Sequence, residues 1–598
     1  MKIREWENMS KSLGDFIQDR TESIDAEMIT EYFIEKDKDK TARMLDTEQY
    51  LVEGSRGVGK TMLMRNAEIT AREEFEKNSI LAVWISFEES IRLERIRISS
   101  KQGIDPFLQW TMGKILIEVL KKLIQLKPAY SEQITDRLTS LFGTSNVTPQ
   151  YITYIKLLDE YIEALERANI DNNEEIKEIA PSEKIVQILD NAITFKNFLL
   201  KLIDDFHLTR MVLLFDEAAH VFSEEQQIKF FTFFKSLRNN KIACKAAVYP
   251  GITNYGKYFE KNQDAKELKL SWSIYEPKDI RYIKDILKKR VQKYDPNVWN
   301  RLTAKDEIIK MICYSSNGNP RFAFHIIDAM QSNSLLDKTN ITQNQMIACL
   351  RSVNDEKWKD FDTLKQRMLR YSEYITFSEK IVKEEIFPNL RKWNDKRRKE
   401  KKKLSAGFYI EELTYKKISK VFDVLSYANI LLVDDVKRSI GHGKYGYYVA
   451  INPSFLFSEL IIKDVQEIGN TSNNIDNNQV YSEANKSIFY IVENVTEHQE
   501  FQCSNDECDF TTNDETFTFC KKCGSKMVKK QGIPLYKILR GHGVENLNLS
   551  TKIIERIRSK FSTVGEIYDA ELDELRMKYI QDVRIEKIKN AAIEYMAG

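Results

Sequence analysis

The hydrophobic positions of this chain follow two alternating patterns along its first half. Short, continuous apolar runs are typical of parallel strands buried on both faces, whereas apolar residues spaced three or four positions apart are typical of helices. Because runs and helical stretches alternate, the pattern predicts an α/β fold around a parallel sheet. The predicted strands are at 49–53, 80–87, 211–215, 242–248 and 267–272, with helices at 106–126 and 277–294.

One stretch between the first predicted strand and a helix start matches the phosphate-binding pattern G-x-x-x-x-G-K-[ST]. Its residues are Gly54, Ser55, Arg56, Gly57, Val58, Gly59, Lys60 and Thr61. Glycines there let backbone N–H groups surround phosphate oxygens at the positive end of a helix dipole. We expect this loop to bind ATP, with Lys60 at the outer phosphates and Thr61 on Mg²⁺.

A pair of carboxylates follows the third predicted strand. Asp216 and Glu217 come directly after the apolar run, at the sheet edge where open α/β folds bind their ligands. We expect Asp216 to bind Mg²⁺ through water. We expect Glu217 to polarise the water that attacks the γ-phosphate. The alternative interpretation, a buried strand ending in a solvated acidic turn, loses weight because a phosphate loop lies upstream.

A helix start further along carries Gly318-Asn319-Pro320-Arg321, in which Pro320 suits the first helical turn. This order of features resembles AAA+ ATPases of the origin-recognition-complex type, and the related STAND-like ATPases, over roughly residues 30–350. The resemblance implies a P-loop AAA+ core over 46–274 and a helical lid over 275–350. It also implies that Arg321 reaches the γ-phosphate from the lid and takes part in catalysis with Lys60 and Glu217.

Two positions depart from the pattern of that family. Its first sensor is usually Asn or Thr just past the strand that follows the acidic pair, here the predicted strand 242–248, where this chain has Tyr249, with Thr253 and Asn254 beyond it. Its arginine finger usually precedes the last strand, but 252–266 contains no arginine. Arg238 is a possible substitute, and a solvated helix end is the alternative. These departures leave trans-activation in a ring open.

Composition and pattern divide the rest of the chain into further segments. The C-terminal half is predicted to contain a winged helix, a zinc ribbon and a small all-helical domain. The predicted segments are an N-terminal helical lead-in at 1–45, a helical insertion in the core at 127–195, a basic helical linker at 351–403, the winged helix at 404–465, a polar linker at 466–486, the zinc ribbon at 487–530 and a helix-hairpin-helix-like tail at 531–598.

The predicted winged helix carries a basic, glycine-containing hairpin tip between two strands. The origin-recognition family has a winged helix after its lid, and the wing contacts the DNA backbone or minor groove there. A winged helix that docks on protein is the alternative. The candidate DNA contacts are Lys437, Arg438, Lys444 and Tyr445.

Four cysteines lie close together near the C-terminus, in two pairs: Cys503 with Cys508, and Cys520 with Cys523. Two such pairs can close a tetrahedron around Zn²⁺, so the spacing predicts a structural zinc site. The tail that follows is similar to tandem helix-hairpin-helix domains. Its first hairpin region keeps Gly541-His542-Gly543, whereas the second, 580–583, lacks glycines. That second half therefore either contacts DNA or is a remnant with a structural or protein-binding role.

Length and charge limit the classes of function. A chain of 598 residues is too long for one core, and its net charge of +1 means that nucleic-acid affinity must come from local patches. No apolar run approaches the length of a membrane span, and the N-terminus lacks a signal-peptide pattern. Seven cysteines, four of them crowded together, suit a reducing compartment, so we expect a cytoplasmic protein.

Two functions follow from these features. The first is an ATP-hydrolysing AAA+ protein that forms a homo-oligomer. Its nucleotide state controls engagement of double-stranded DNA by the C-terminal modules. Replication, mobile-element control and anti-phage (antiviral) defence are all open as its setting. The second is a STAND-like signalling switch in which nucleotide state controls assembly with a protein partner.

Overall fold

A computed structural model of the chain describes most of the N-terminal three quarters and parts of the remainder. The second predicted hairpin of the tail, 580–583, and parts of 127–195 and 487–530 lie outside the described residues. The described residues are 13–17, 24–37, 39–87, 106–142, 150–167, 182–218, 224–367, 371–441, 443–485, 501–504, 508, 511–512, 519–525, 527–529, 540–547, 549, 551–570, 572, 574–577, 584–585, 587–589 and 591–592.

Five parallel strands form the central sheet, in the order β2-β3-β4-β1-β5. This arrangement, with helices joining the strands, confirms the predicted α/β class. Because the strands are parallel, the carboxyl ends of β1, β3 and β4 meet at one edge of the sheet. The strands are β1 Tyr50–Glu53, β2 Ile80–Ser86, β3 Arg210–Asp216, β4 Ile242–Val248 and β5 Lys266–Lys269.

The last strand of this sheet is shorter than the apolar pattern predicts. β5 ends at Lys269, whereas the pattern extends to Trp272. The reason is packing, because the Trp272 ring lies against Gly318 instead of continuing the sheet. A Cβ on Gly318 would lie 2.2 Å from Trp272 Cγ, so glycine is needed at this contact. The chain thus leaves the sheet to meet the turn that carries Asn319 and Arg321.

Helices flank the sheet on both sides, and α6 to α10 all lie between β2 and β3 in the chain. Phe215 near the end of β3 stacks on Phe87 at 6.1 Å and meets Phe230 edge-on at 5.3 Å, which fixes the end of the strand. The helices are α1 Leu13–Phe16, α2 Ala26–Tyr32, α3 Lys40–Leu45, α4 Lys60–Glu73, α5 Phe75–Asn78, α6 Pro106–Leu126, α7 Tyr130–Phe142, α8 Tyr151–Arg167, α9 Glu183–Leu189, α10 Ala192–Asp205 and α11 Glu224–Ser236.

A helical region follows the sheet, and local capping residues define several of its helix starts. Asp295 accepts from Asn297 N at 2.8 Å, Asn319 accepts from Phe322 N at 3.1 Å, and prolines occupy the first turns that these residues begin. The helices are α12 Pro277–Tyr294, α13 Pro296–Thr303, α14 Asp306–Ser315, α15 Pro320–Ser332, α16 Gln343–Arg367, α17 Ser372–Lys380, a π-helical segment Ile381–Ile386 and α18 Phe387–Lys399.

A second sheet organises residues 404–485, which we call the C-terminal sheet subdomain. Its strands follow the order β10-β6-β9-β7, and β8 pairs with β9 as a hairpin. Its elements are β6 Gly407–Glu411, α19 Glu412–Tyr427, β7 Leu431–Val433, β8 Arg438–Gly441, β9 Lys444–Ile451, α20 Pro453–Ser458, α21 Val465–Gly469, a 3₁₀ turn Ile475–Asn477 and β10 Val480–Tyr481.

The segment 466–486 differs from the polar linker that its composition predicts. Its described residues, 466–485, are packed into the C-terminal sheet subdomain, where β10 pairs with β6 in parallel. Asn478 is buried and donates to Ser472 O at 2.8 Å and Asn474 O at 2.7 Å. The polar side chains of this segment therefore satisfy buried backbone groups instead of solvating a free linker.

Two smaller units follow. The first is an antiparallel sheet, β11 Phe501–Cys503, β12 Thr511–Thr512 and β13 Met527–Lys529. The second contains a 3₁₀ turn Val544–Asn546, α22 Thr551–Ile557 and α23 Val564–Asp569, which share a core of their own. Among the helices that the structure describes, none has the length and hydropathy needed to cross a membrane.

Candidate nucleotide site

The phosphate-binding loop joins the end of β1 to the start of α4. Gly57 and Gly59 have φ angles of +86° and +98°, in the left-handed region that favours glycine. Gly57 also has no room for a side chain, because a Cβ there would lie 2.5 Å from Asn319 Oδ1. The loop is therefore held between its own strand and the helical region that carries Asn319.

Lys60, the first residue of α4, is buried in this loop. Its Nζ donates to Gly54 O at 2.6 Å and Ser55 O at 3.0 Å, and lies 3.9 Å from the centroid of the Tyr249 ring. Burial lowers the pKa of Lys60 to about 8, although Glu217 and Asp216 act in the opposite direction. A desolvated ammonium group in this position is suited to a phosphate oxygen.

The carboxylates predicted from the sequence lie at the end of β3, beside this lysine. Asp216 is buried, and its oxygens accept from Glu217 N at 3.1 Å and Trp84 Nε1 at 3.4 Å. Glu217 has a φ of +62°, a conformation that costs a residue with a side chain about 1–2 kcal/mol. Backbone strain of this kind is concentrated at functional sites.

Tyr249, the residue after β4, connects the lysine to the carboxylate. Its hydroxyl donates to Glu217 Oε1 at 3.2 Å and lies 3.4 Å from Oε2, while its ring faces Lys60. Burial raises the pKa of Tyr249 well above its usual value, so the phenol keeps its proton. The family resemblance implies a polar first sensor at this point, and the sequence analysis leaves open whether the tyrosine takes that place.

The helical region contributes Arg321 to the same site. Asn319 donates to Arg56 O at 2.7 Å and also caps α15, so it ties the start of that helix to the phosphate loop. Arg321 is in the first turn of α15 and lines the cleft together with Lys60 and Glu217. The structure thus brings together the loop, the acidic pair and the arginine that the sequence predicts separately.

The cleft has an empty volume of about 790 Å³, part of it open to solvent. Its other wall contains residues that the sequence analysis did not single out, namely Tyr32, Phe33 and Ile34, together with Arg290 of α12. Arg290 packs over the Tyr32 ring at 3.7 Å, and burial lowers its pKa to about 10. An arginine on the apolar face of an amphipathic helix was the available signal.

These residues fit ATP and Mg²⁺. A glycine loop and a buried lysine suit phosphate, and the hydroxyl of Thr61 and the carboxylate of Asp216 provide the oxygen ligands that Mg²⁺ prefers. Arg238, the candidate finger for the site of a neighbouring copy, is exposed and donates to Gln263 O at 2.8 Å.

Comparison with known families shows the family to which the chain belongs. The family model described as ORC-CDC6-like matches residues 16–445, which is most of the chain. The chain belongs to the ORC-CDC6-like family. Membership implies a nucleotide-binding AAA+ protein with a function related to DNA replication.

One solved structure is similar in a much weaker sense. The structure of the Aeropyrum pernix ORC2 protein, described as ADPNP-ADP complexes, matches 74% of this chain and 93% of its own. The sequence identity is 9% and the TM-score is 0.27, values too low to establish a shared fold. No curated protein matches the chain.

The four cysteines of this ORC-CDC6-like protein lie together as the sequence predicts. Their Sγ atoms are all within 4.8 Å of one another, with Cys503 to Cys523 at 3.2 Å and Cys508 to Cys520 at 3.7 Å. A tetrahedral Zn²⁺ with bonds of about 2.3 Å would space its sulfurs by about 3.8 Å. The cluster is therefore compatible with Zn²⁺.

The basic residues of the β8–β9 hairpin tip, unlike the buried Lys60, form ion pairs with acidic side chains. Lys437 pairs with Glu412 at 2.9 Å, Arg438 with Asp434 at 2.8 Å, and Lys444 with Glu411 at 2.9 Å. Each basic DNA-contact candidate therefore has an acidic partner within the C-terminal sheet subdomain. The fourth candidate, Tyr445, is exposed.

Proposed function

We propose that this ORC-CDC6-like protein binds and hydrolyses ATP, and that its nucleotide state controls how its C-terminal modules engage double-stranded DNA. The observation that supports hydrolysis is the meeting of Lys60, Glu217 and Arg321 at one cleft. Binding alone needs a phosphate loop, whereas hydrolysis also needs a placed water and charge stabilisation at the γ-phosphate.

Each residue has a separate role in the proposed reaction. Glu217 accepts a proton from the water whose oxygen attacks the γ-phosphorus, and the bond to the bridging oxygen of ADP breaks. Lys60 and Arg321 hold the negative charge of the transferred phosphoryl group. Thr61 and Asp216 hold Mg²⁺, which would neutralise phosphate charge when bound.

We assign DNA engagement to the C-terminal modules, on the support of exposed lysines at the boundary where these modules begin. Lys399, Lys401 and Lys403, at and beyond the end of α18, are exposed. In the same basic run, Arg397 is buried and Arg398 is paired with Glu467 at 2.7 Å, so these arginines are structural.

The four-cysteine cluster is proposed to hold one structural Zn²⁺. All four thiolates would be ligands, which leaves no position for a reacting water. We expect about one zinc ion per purified chain by metal analysis, and none in Cys520→Ser. A wild-type chain without zinc would overturn this assignment, and Cys349→Ser, at a buried cysteine outside the cluster, is the control.

ATP turnover and duplex binding measured together across a salt series test the proposal. We expect turnover, and duplex binding that falls steeply as salt rises because phosphate contacts release counterions. ATP binding without duplex binding at low salt would favour the second function.

That second function is a STAND-like switch that assembles with a protein partner. The pairing of all three hairpin cations with acidic residues favours it, because a neutralised tip attracts duplex DNA weakly. Assembly between copies of this chain is compatible with either function. A protein partner captured only with ATP, in the absence of DNA binding, would distinguish the switch from the DNA-associated ATPase.

A further inference from the structure

The C-terminal sheet subdomain packs directly against the segment that follows β4. The ring of Tyr427, the last residue of α19, meets the ring of Tyr249 at 5.3 Å with an interplanar angle of 66°. Both tyrosines are buried. The residue that touches Glu217 and Lys60 on one side is therefore held by the C-terminal subdomain on the other.

Two further contacts fix α19 to this segment. Lys420 Nζ donates to Gly251 O at 2.8 Å. Gly251 has a φ of +69°, and a Cβ there would lie 1.9 Å from Asp423 Oδ1, so only glycine allows this approach. The backbone two residues beyond Tyr249 is thus clamped to the same helix that ends at Tyr427.

The C-terminal subdomain also holds the turn before Arg321. Asn317 Nδ2 donates to Asn429 Oδ1 at 2.7 Å, and Asn452 Nδ2 donates to Asn429 O at 2.8 Å. All three asparagines are buried. Buried amide hydrogen bonds of this kind specify one arrangement, since an unpaired amide would cost more than the bond contributes. The subdomain therefore approaches the cleft at two points, beside Glu217 and beside Arg321.

We propose that Tyr249 is a positioning residue for Glu217 and that Tyr427 sets its placement, so that the C-terminal subdomain controls the rate of hydrolysis. The phenol hydroxyl donates to Glu217 Oε1 and lies 3.4 Å from Oε2, while the ring lies between Lys60 and Tyr427. This inference rests on the proposed hydrolysis of ATP. It assigns a role to Tyr249 that differs from nucleotide binding, which the loop provides.

Tyr249→Phe in the full chain isolates the hydroxyl, because phenylalanine keeps the ring over Lys60. We expect kcat to fall about tenfold, the size of a lost hydrogen bond to a charged group, with KM and ATP affinity within about twofold of wild type. A purely structural defect would instead lower the melting temperature and raise KM. Tyr255→Phe is the matched control, because that ring packs on Phe231 at 4.7 Å and Phe259 at 5.3 Å.

Tyr427→Ala tests the second half of the proposal. We expect a similar fall in kcat, and a double variant with Tyr249→Phe that is no slower than the slower single variant, because both changes act through one contact. Tyr427→Phe keeps the ring and should retain the wild-type rate. Tyr427→Leu, which preserves apolar bulk, replaces the alanine variant if thermal unfolding shows that alanine destabilises the chain.

Turnover in the variants and turnover in the wild-type chain test the positioning role and the proposed hydrolysis separately. Wild-type turnover in Tyr249→Phe would overturn the positioning role, and multiplicative effects in the double variant would overturn the coupling to Tyr427. A wild-type chain that binds ATP without hydrolysing it would overturn the proposed hydrolysis itself, and the positioning role with it.

Discussion

The nucleotide cleft and the β8–β9 hairpin tip both contain the clustered cations that indicate binding to phosphate, but they hold those cations differently. In the cleft, Lys60 is buried and donates to two backbone carbonyls of its own loop. At the hairpin, Lys437 and Lys444 are exposed and each pairs with a glutamate. The cleft therefore presents a desolvated charge, whereas the hairpin presents a surface that is already neutralised.

The two environments move the pKa values of Lys60 and Lys437 in opposite directions. Burial lowers the pKa of Lys60 to about 8, so its charge is costly until an anion arrives. The hydrogen bond with Glu412 raises the pKa of Lys437. Charge composition alone is thus a poor guide to binding, and the partners of each cation decide what it can do.

Removing Lys60 should give the largest effect. Lys60→Ala deletes a buried cation from the phosphate loop, and we expect ATP affinity to fall about 100-fold or more by calorimetric titration. Lys257→Ala removes an exposed lysine on the loop after β4 and should bind ATP as wild type does. Near-normal affinity in Lys60→Ala would mean that the loop does not contact phosphate.

Glu217→Gln should separate binding from turnover. The amide cannot accept the proton of the attacking water, so we expect kcat to fall about 100-fold while ATP still binds. Phosphate release and ATP affinity measured on one preparation check this, with Glu260→Gln on an exposed loop as the control. Unchanged turnover would remove Glu217 from the reaction.

The pH dependence of ATP affinity follows from Lys60. Its pKa of about 8 means that the free site keeps its charge below that pH and loses it above. ATP requires the cation, so we expect affinity to weaken about tenfold between pH 7 and pH 9, through proton uptake on binding. Lys60→Arg, which stays charged throughout, should remove this dependence, and a wild-type affinity that is flat to pH 9 would contradict the assignment.

Substitution of a hairpin lysine should have the smallest effect, and that effect is on duplex binding. We expect Lys444→Ala to weaken duplex binding by less than about twofold, because the side chain must first leave Glu411. Lys401→Ala, at an exposed lysine near α18, is the comparison variant. A salt-dependence slope lower by about one whole unit in Lys444→Ala would show that this lysine makes a full phosphate contact.

Site residues that lie in short sequence motifs were predictable from the sequence. The loop around Lys60 and the strand ending at Asp216 each carry a short motif, and the alternation of apolar runs predicted the parallel sheet. Packing between distant segments was not predictable in this way. The Tyr249 to Tyr427 contact joins residues far apart in sequence, and no spacing rule indicates it.

Polar segments were the second place where the structure differs from the sequence prediction. The asparagine-rich stretch 466–486 reads as a linker by composition, but Asn478 is buried and hydrogen-bonded to backbone. The acidic partners of the hairpin lysines, Glu411 and Glu412, lie at the junction of β6 and α19, so their proximity depends on the register of β6 against β9. A sequence pattern records which polar residues are present but not which of them meet.

Phosphate release from ATP by the purified full chain with Mg²⁺, measured beside ATP affinity, tests the central claim most directly. The chain should bind ATP and turn it over, because the loop, Glu217 and Arg321 line one cleft. ATP bound without any release of phosphate would contradict it.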